Sequence, residues 1–305
     1  MPHLTIDPVK TRSQQRRFLR LPWEICRDTP HWVPPLVQVA RRQMWSGRHP
    51  FSERGRSRSF LATRDGADIG RITAIVNEAH NGQHGERLGF FGFFECADDA
   101  DAAGGLFAAR AWLRAEGMTA IRGPAIPSLN YECGLRVDGF HLPPQFMMTS
   151  NRRWYERLIL DNGFLPVQDL FAVWGTLDML ATLDPKLTLL AEIDRKPVGA
   201  CFCLLDYNPR IKAINGRLFP FGFFRLLANR RAITSMRAMT TNVIPEYQAW
   251  GIGLALMAAA VPAMQEWGMR EVEFSWVLES NHLSRRTLER GGALRTKTYR
   301  RYQDA

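Results

Sequence analysis

Alternating apolar and polar positions mark the strands of this chain. Glu271–Leu278 alternates as a half-buried strand does, and Thr296–Tyr302 alternates again. Met239–Ile244 is a further β-like run. Between these strands, an apolar, Ala-rich segment beginning near Leu254 predicts one helix, and His282–Arg290 predicts a second that stops at Gly291-Gly292. Upstream, Ser59–Gly70 and Thr188–Gly199 each read as strand, tight turn, strand. Leu61, Ala62, Asp65 and Gly70 of the first recur as Leu190, Ala191, Asp194 and Gly199 of the second. A helix-like run Ala102–Glu116 ends at Gly117 and leads to strand Thr119–Gly123 and then to Asn130, as the later helix ends at Gly268 and leads to its strand and Asn281. The chain therefore predicts two copies of one α/β unit, a mixed sheet with helices. The expected organisation is an N-terminal arm over 1–50, a degenerate unit over 51–175 and a second unit over 176–305.

The second unit carries the chemistry. The strand ending at Val243 and Ile244 meets Pro245 and then the loop Gln248, Ala249, Trp250, Gly251, Ile252, Gly253, Leu254. Two glycines let backbone amides approach a ligand, and the first turn of a helix leaves N–H groups unpaired with partial positive charge. This is a seat for a pyrophosphate. A dinucleotide fingerprint needs Gly or Ala where Leu256 stands, and a P-loop needs Lys-Ser/Thr where Leu254 and Ala255 stand, so neither fits. The corresponding stretch of the first unit, Ala97–Ala102, has no glycine and three carboxylates, which suit a helix cap and repel a pyrophosphate.

The pattern Gln248-x-x-Gly251-x-Gly253 between strand and helix resembles the acyl-CoA loop of the GCN5-related N-acyltransferases (GNAT). Several stretches together are similar to a narrower tandem group, the bacterial ceramide-synthase-like proteins. They include Asn77–Asn81, Gly89–Glu95, Gly123–Asn130, Asp206–Asn208, Gly216–Pro220, Ser275–Asn281 and Lys297–Arg300. The resemblance implies two GNAT-like units in tandem and N-acylation from acyl-CoA, acetyl or long-chain. The implied acceptor is a long-chain amine of the sphingoid type. It implies Gln248–Leu254 at the CoA pyrophosphate, Val243 and Ile244 beside the pantetheine arm, and Asn281 and Arg286 nearby. One departure stands out. A helical segment expected before the second unit's first strand, near Thr176–Pro185, is reduced to about ten residues. In GNAT folds that segment covers the acceptor.

Acyl transfer needs an amine deprotonated, an oxyanion stabilised and a thiolate protonated. Many GNAT enzymes carry a Tyr acid seven residues after the motif Asn; here that position is Leu288. Glu279, His282 and Tyr299 are the candidate replacements. Glu279 also reads as a surface ion-pair partner, and His282 as a helix cap. Two other classes stay open: a non-catalytic acyl-CoA-binding, membrane-associated protein, and a transferase using aminoacyl-tRNA.

The net charge of +10 suits an anionic partner, yet arginine outnumbers lysine 35 to five and its pairs are scattered, so no specific nucleic acid is expected. Gly216–Leu227 interleaves aromatic residues with arginines. This suits either a bilayer interface or a hairpin covering the sheet, and peripheral contact with an anionic membrane over 211–231 is an expectation. Residues Thr11–Arg27 predict a basic helix broken by Pro22. His80 and His84 have ligand spacing, but Asn81-Gly82 reads as a turn, and no metal is expected. Five cysteines form no disulfide framework; Cys201 and Cys203 read as a buried thiol pair. A cytoplasmic protein, peripheral at the inner membrane face, is the expected location.

Overall fold

The computed structural model describes residues 3–45, 55–126, 132–176 and 188–304. Helix α1, Arg12–Ile25, follows strand β1, Leu4–Pro8, and α2, Val37–Trp45, closes the N-terminal region. The first unit continues with β2 (Gly55–Arg64), β3 (Ala67–Asn77), α3 (Glu78–His84), β4 (Leu88–Cys96), α4 (Ala100–Phe107), α5 (Arg110–Ala115), β5 (Ala120–Gly123), β6 (Leu135–Asp138) and α6 (Tyr155–Leu160). Strand β7, Phe164–Thr176, leads into the second unit. That unit holds β8 (Thr188–Ile193), β9 (Lys196–Leu205), α7 (Asn208–Ala213), α8 (Gly222–Leu227), β10 (Ser235–Val243), α9 (Ile252–Ala258), α10 (Val261–Trp267), β11 (Glu271–Leu278), α11 (His282–Arg290) and β12 (Leu294–Asp304). Short 3-10 turns cover Arg230–Ala232 and Pro245–Trp250.

All twelve described strands join one sheet, ordered β1-β2-β3-β4-β5-β12-β7-β11-β10-β9-β8, with β6 on β12. Both repeated hairpins form, β2–β3 and β8–β9. Their turns take positive φ at both central residues, Asp65-Gly66 and Asp194-Arg195, the geometry that matches strand twist. Each unit has one parallel pair, β4 with β5 and β10 with β11. The two units exchange strands at the centre. Strand β7 pairs with β11 of the second unit, while β12, the last strand, pairs with β5 and β6 of the first. The long β7–β12 ladder joins them. The boundary expected at 175/176 falls at the end of β7, inside this exchanged region.

Three sequence expectations change. Helix α1 runs through Pro22. A proline removes one N–H and so frees the carbonyl four residues back; here that carbonyl, on Phe18, accepts from Arg71 Nη1 at 2.8 Å. The stretch Asn81-Gly82 is not a turn but lies inside α3, capped by Asn77 and ended by left-handed Gly85. It brings the His80 and His84 rings to 4.5 Å, and His80 meets Glu86 at 3.2 Å. No group of three metal-ligand residues occurs among the described residues. The run Ala102–Glu116 is two helices, α4 and α5. The Cys201 and Cys203 thiols do sit together, 3.9 Å apart. Asn130 and Thr176–Pro185, apart from Thr176 itself at the end of β7, lie outside the described residues.

Candidate functional site

The two parallel pairs differ where a ligand would enter. Strands β10 and β11 pair from Ser235/Glu271 to Ala238/Phe274 and no further, although β10 runs to Val243 and β11 to Leu278. A bulge between Ala238 and Thr240 starts the divergence. The edge of β10 left without a β11 partner, Met239 to Val243, is roughly 13 Å long at a strand's rise per residue. It ends at the predicted loop. Gly251 has φ 74°, a left-handed turn that leads into α9 with no side-chain cap. The first helical bond runs from Ala255 N–H to the Gly251 carbonyl at 2.9 Å, so the amides of Ile252, Gly253 and Leu254 are outside the helix ladder. A Cβ on Gly251 would meet nothing within 4 Å, so the loop faces open space.

In the first unit the same splay is filled by the chain itself. Ala125 N–H donates to the Phe91 carbonyl at 2.8 Å, and Ile126 N–H to the Glu132 carbonyl at 2.9 Å. A Cβ at Gly92 would stand 2.1 Å from the Ala125 oxygen, so glycine is required there. The α4 terminus is capped by Asp99, which accepts from Ala102 N–H at 2.9 Å and pairs with Arg64 at 2.8 Å. The acidic stretch therefore serves as a cap, and no anion seat remains.

At the base of the second splay lies a buried polar cluster. Glu273 on β11 is fully buried and pairs with Lys297 on β12. Ser275 donates to Glu273 at 3.3 Å and accepts from Arg237 Nε at 2.9 Å. Arg237 on β10 also donates to the Phe146 and Met147 carbonyls at 3.1 and 3.2 Å. That contact brings the loop after β6, with Pro143 and Pro144, under the splay. Asp206 caps the turn into α7, and burial raises its carboxyl to about 6. Glu132, half-buried, lies within electrostatic reach of Glu95, Arg71 and Arg237. Burial, reinforced by Glu95, pushes its carboxyl up to about 7 against the pull of both guanidiniums. Here the buried Tyr299 hydroxyl and the Trp276 indole N–H have no partner among the described residues. Burial and Glu273 hold the Tyr299 hydroxyl well above its usual range, so it stays protonated.

The predicted residues divide accordingly. Ile244, Gln248, Trp250, Leu254, Asn281 and Arg286 are exposed around the mouth of the splay. Gln248 Nε2 donates to the Val243 carbonyl at 3.1 Å, closing the strand end. Trp250 stacks edge-on with Tyr247, and Ala249 continues the 3-10 turn. Asn281 caps α11 by accepting from Ser284 N–H at 3.1 Å. Glu279 and His282 are exposed beyond β11. Tyr299 alone of the three acid–base candidates belongs to the buried cluster. Sequence reading missed Glu132, Arg237, Glu273 and Lys297. For Arg237, Glu273 and Lys297 the one signal was charge at inward positions of otherwise apolar strands; Glu132, in a connection, had none.

Residues 152–292 match the model of the acetyltransferase (GNAT) family. That match covers just under half of the chain, the stretch that holds the candidate loop. Two curated proteins align over nearly the full length at 28% identity. Bacterial ceramide synthase of Caulobacter vibrioides covers 99% of this chain and 97% of its own, and protein YghO of Escherichia coli covers 96% and 93%. The alignment with the former spans 374 positions, more than the 305 residues here, so that relative carries segments this chain lacks. Among solved structures, a tandem GNAT protein from the clavulanic acid pathway superposes with TM-score 0.57 over 99% of this chain and 98% of its own, at 11% identity. A glucosamine N-acetyltransferase region of a fungal enzyme gives 0.60 over 99% of this chain and 38% of its own. These likenesses establish the tandem fold.

Proposed function

We propose that the protein is an acyl-CoA-dependent N-acyltransferase whose acceptor is a long-chain amine. The observation that carries the reading is the unpaired edge of β10 leading to an uncapped left-handed turn. A pantetheine arm offers amides to a strand edge, and a pyrophosphate suits the free amides of Ile252, Gly253 and Leu254. Only the second unit retains this pair of features, so one acyl-CoA binds per chain. When bound, it supplies an activated acyl thioester. Val243, Ile244 and the loop Gln248–Leu254 hold it, with Asn281 and Arg286 at the rim.

The buried cluster supplies a hydrogen-bond donor, and Glu132 of the first unit is the candidate base. Glu132 has a carboxyl near neutral pH, the value that suits removing a proton from an ammonium acceptor. Tyr299 keeps its proton and has no acceptor of its own, which suits donating a hydrogen bond to charge developing on the thioester, while the leaving thiolate takes the proton released by the amine through solvent. Arg237 and Lys297 place fixed positive charge nearby. Glu279 and His282 remain candidates for proton exchange with solvent at the mouth. The likeness to bacterial ceramide synthase supports a sphingoid-type acceptor. Incubation with palmitoyl-CoA and sphinganine should release free CoA and yield an amide detectable by mass spectrometry. CoA binding without turnover on any long-chain amine would leave the non-catalytic acyl-CoA-binding reading in its place.

A further inference from the structure

Residues 207–245 contain no acidic side chain, and among them lie five exposed cations, Lys212, Arg217, Arg225, Arg230 and Arg231, with Arg210 half-buried beside them. The same stretch carries a ridge of exposed apolar side chains. Phe219, Phe221 and Phe224 are 83%, 71% and 69% exposed, and Phe223 and Leu227 stand beside them. Five such residues within nine positions make a patch no core contact explains. The ridge is held in shape. Arg210 donates to the carbonyls of Leu226, Ala228 and Asn229, tying α7 to the end of α8. Lys212 donates to the Pro30 carbonyl, and Trp23 Nε1 to Asn215 Oδ1 at 2.8 Å. These bonds fix the ridge to α1 and the Pro-rich turn after it.

Behind the ridge runs a groove of about 1150 Å³ between α1, α2 and the α7–α8 connection. Six cations line it, among them Arg16, Arg20, Arg41 and Arg217, against two carboxylates, Glu24 and Asp28. None of those four arginines has an ion-pair partner among the described residues. Phe219 belongs to both features, lining the groove and crowning the ridge. Ridge and groove therefore form one surface, apolar at its crest and cationic behind it. No helix among the described residues is long and apolar enough to cross a membrane.

We propose that this surface docks on an anionic bilayer, the phenyl ridge entering the acyl boundary and the groove taking the phosphate headgroup of a phospholipid. Rings at that depth remove apolar area from water without losing a hydrogen bond, and guanidiniums bind phosphate oxygens in pairs. Both halves of the surface are needed, since one apolar or one electrostatic signal gives only weak attachment. The docking does not depend on the acyl-CoA reading and stands or falls separately from it.

Co-sedimentation with vesicles tests it. The full-length protein should pellet with vesicles of phosphatidylcholine and phosphatidylglycerol and stay in solution with phosphatidylcholine alone. Phe221→Ser with Phe224→Ser should lower partitioning on the order of tenfold or more, as should Arg20→Glu with Arg41→Glu in the groove. A single charge reversal on the other face of the sheet, Arg58→Glu, should change it far less than Arg20→Glu or Arg41→Glu alone. All these positions are exposed, so thermal unfolding should be unaltered. Equal pelleting of wild type and both variants would overturn the proposal. So would protein that ignores vesicles of either composition, or that binds single-stranded RNA instead with the same arginine dependence.

Discussion

Gly251 is the residue whose role the sequence made plainest. Its φ of 74° is costly for any side chain, and nothing lies where its Cβ would stand, so the glycine serves an approaching ligand and the turn together. Glu132 is the opposite case. It sits in a stretch the sequence presents as an ordinary connection. Its surroundings come from Glu95, Arg71 and Arg237, which stand far apart in the chain. No local pattern announces such a site. The shift has a testable sign. A carboxyl raised from 4.5 to about 7 keeps its proton in the folded state after the unfolded chain has released it. The stabilisation is complete below pH 4.5 and is lost as pH rises through 7. Glu132→Gln should therefore flatten the fall in melting temperature over that window. At pH 8 it should be more stable than wild type by about 1–2 kcal/mol. The same substitution should lower turnover by about 10²-fold or more if Glu132 is the base, and remove an activity limb that rises through neutral pH. A variant with unchanged turnover and unchanged pH profile would assign the proton transfer elsewhere.

Among the elements, periodicity located the strands and the loop, and it failed where long-range contacts decide. Alternation in Glu271–Leu278 gives a half-buried strand but not the fact that Glu273, on the inward face, is sealed by Lys297 from β12. Helix α1 passes through Pro22 because Arg71, fifty residues away, takes the carbonyl the proline frees. The Asn81-Gly82 pair is helical because Asn81 is buried, its side chain donating to the Leu88 carbonyl at 3.1 Å and accepting from Leu88 N–H. The ion pair gives an element-level prediction. Glu273→Leu or Lys297→Met alone leaves one buried charge without its partner and should cost about 3–5 kcal/mol in denaturant unfolding. The double variant should recover most of that loss. Additive losses in the double variant would show that the two charges are not coupled.

At the scale of the whole molecule, the central exchange sets the behaviour. Repeats in the sequence made two units legible, and their resemblance to GNAT proteins made the fold legible. The exchange of β7 and β12 was not, because each strand reads the same whichever sheet receives it. Its consequence is that neither unit's half of the sheet is complete without the other unit. The last strand supplies Tyr302 and Gln303 as partners to Gly123 and Arg122, and Asp304 accepts from Ile121 N–H at 2.5 Å and pairs with Arg114 at 2.9 Å. A chain ending before Leu294 should thus lose cooperative unfolding in both units, not in the second alone. A truncated chain whose first unit still melts cooperatively would contradict this.

The arrangement also places the donor site beside the seam, where the first unit contributes the Phe146 and Met147 carbonyls to the floor of the second unit's splay. Everything proposed for catalysis depends on that splay receiving acyl-CoA. Titration calorimetry with acetyl-CoA, palmitoyl-CoA and free CoA measures it directly. One site per chain is expected, tighter for the long acyl chain, and abolished by Gly251→Glu, which sets bulk and negative charge at the free amides. Absence of binding by all three ligands to folded wild-type protein, or undiminished binding by the Gly251→Glu variant, would contradict it.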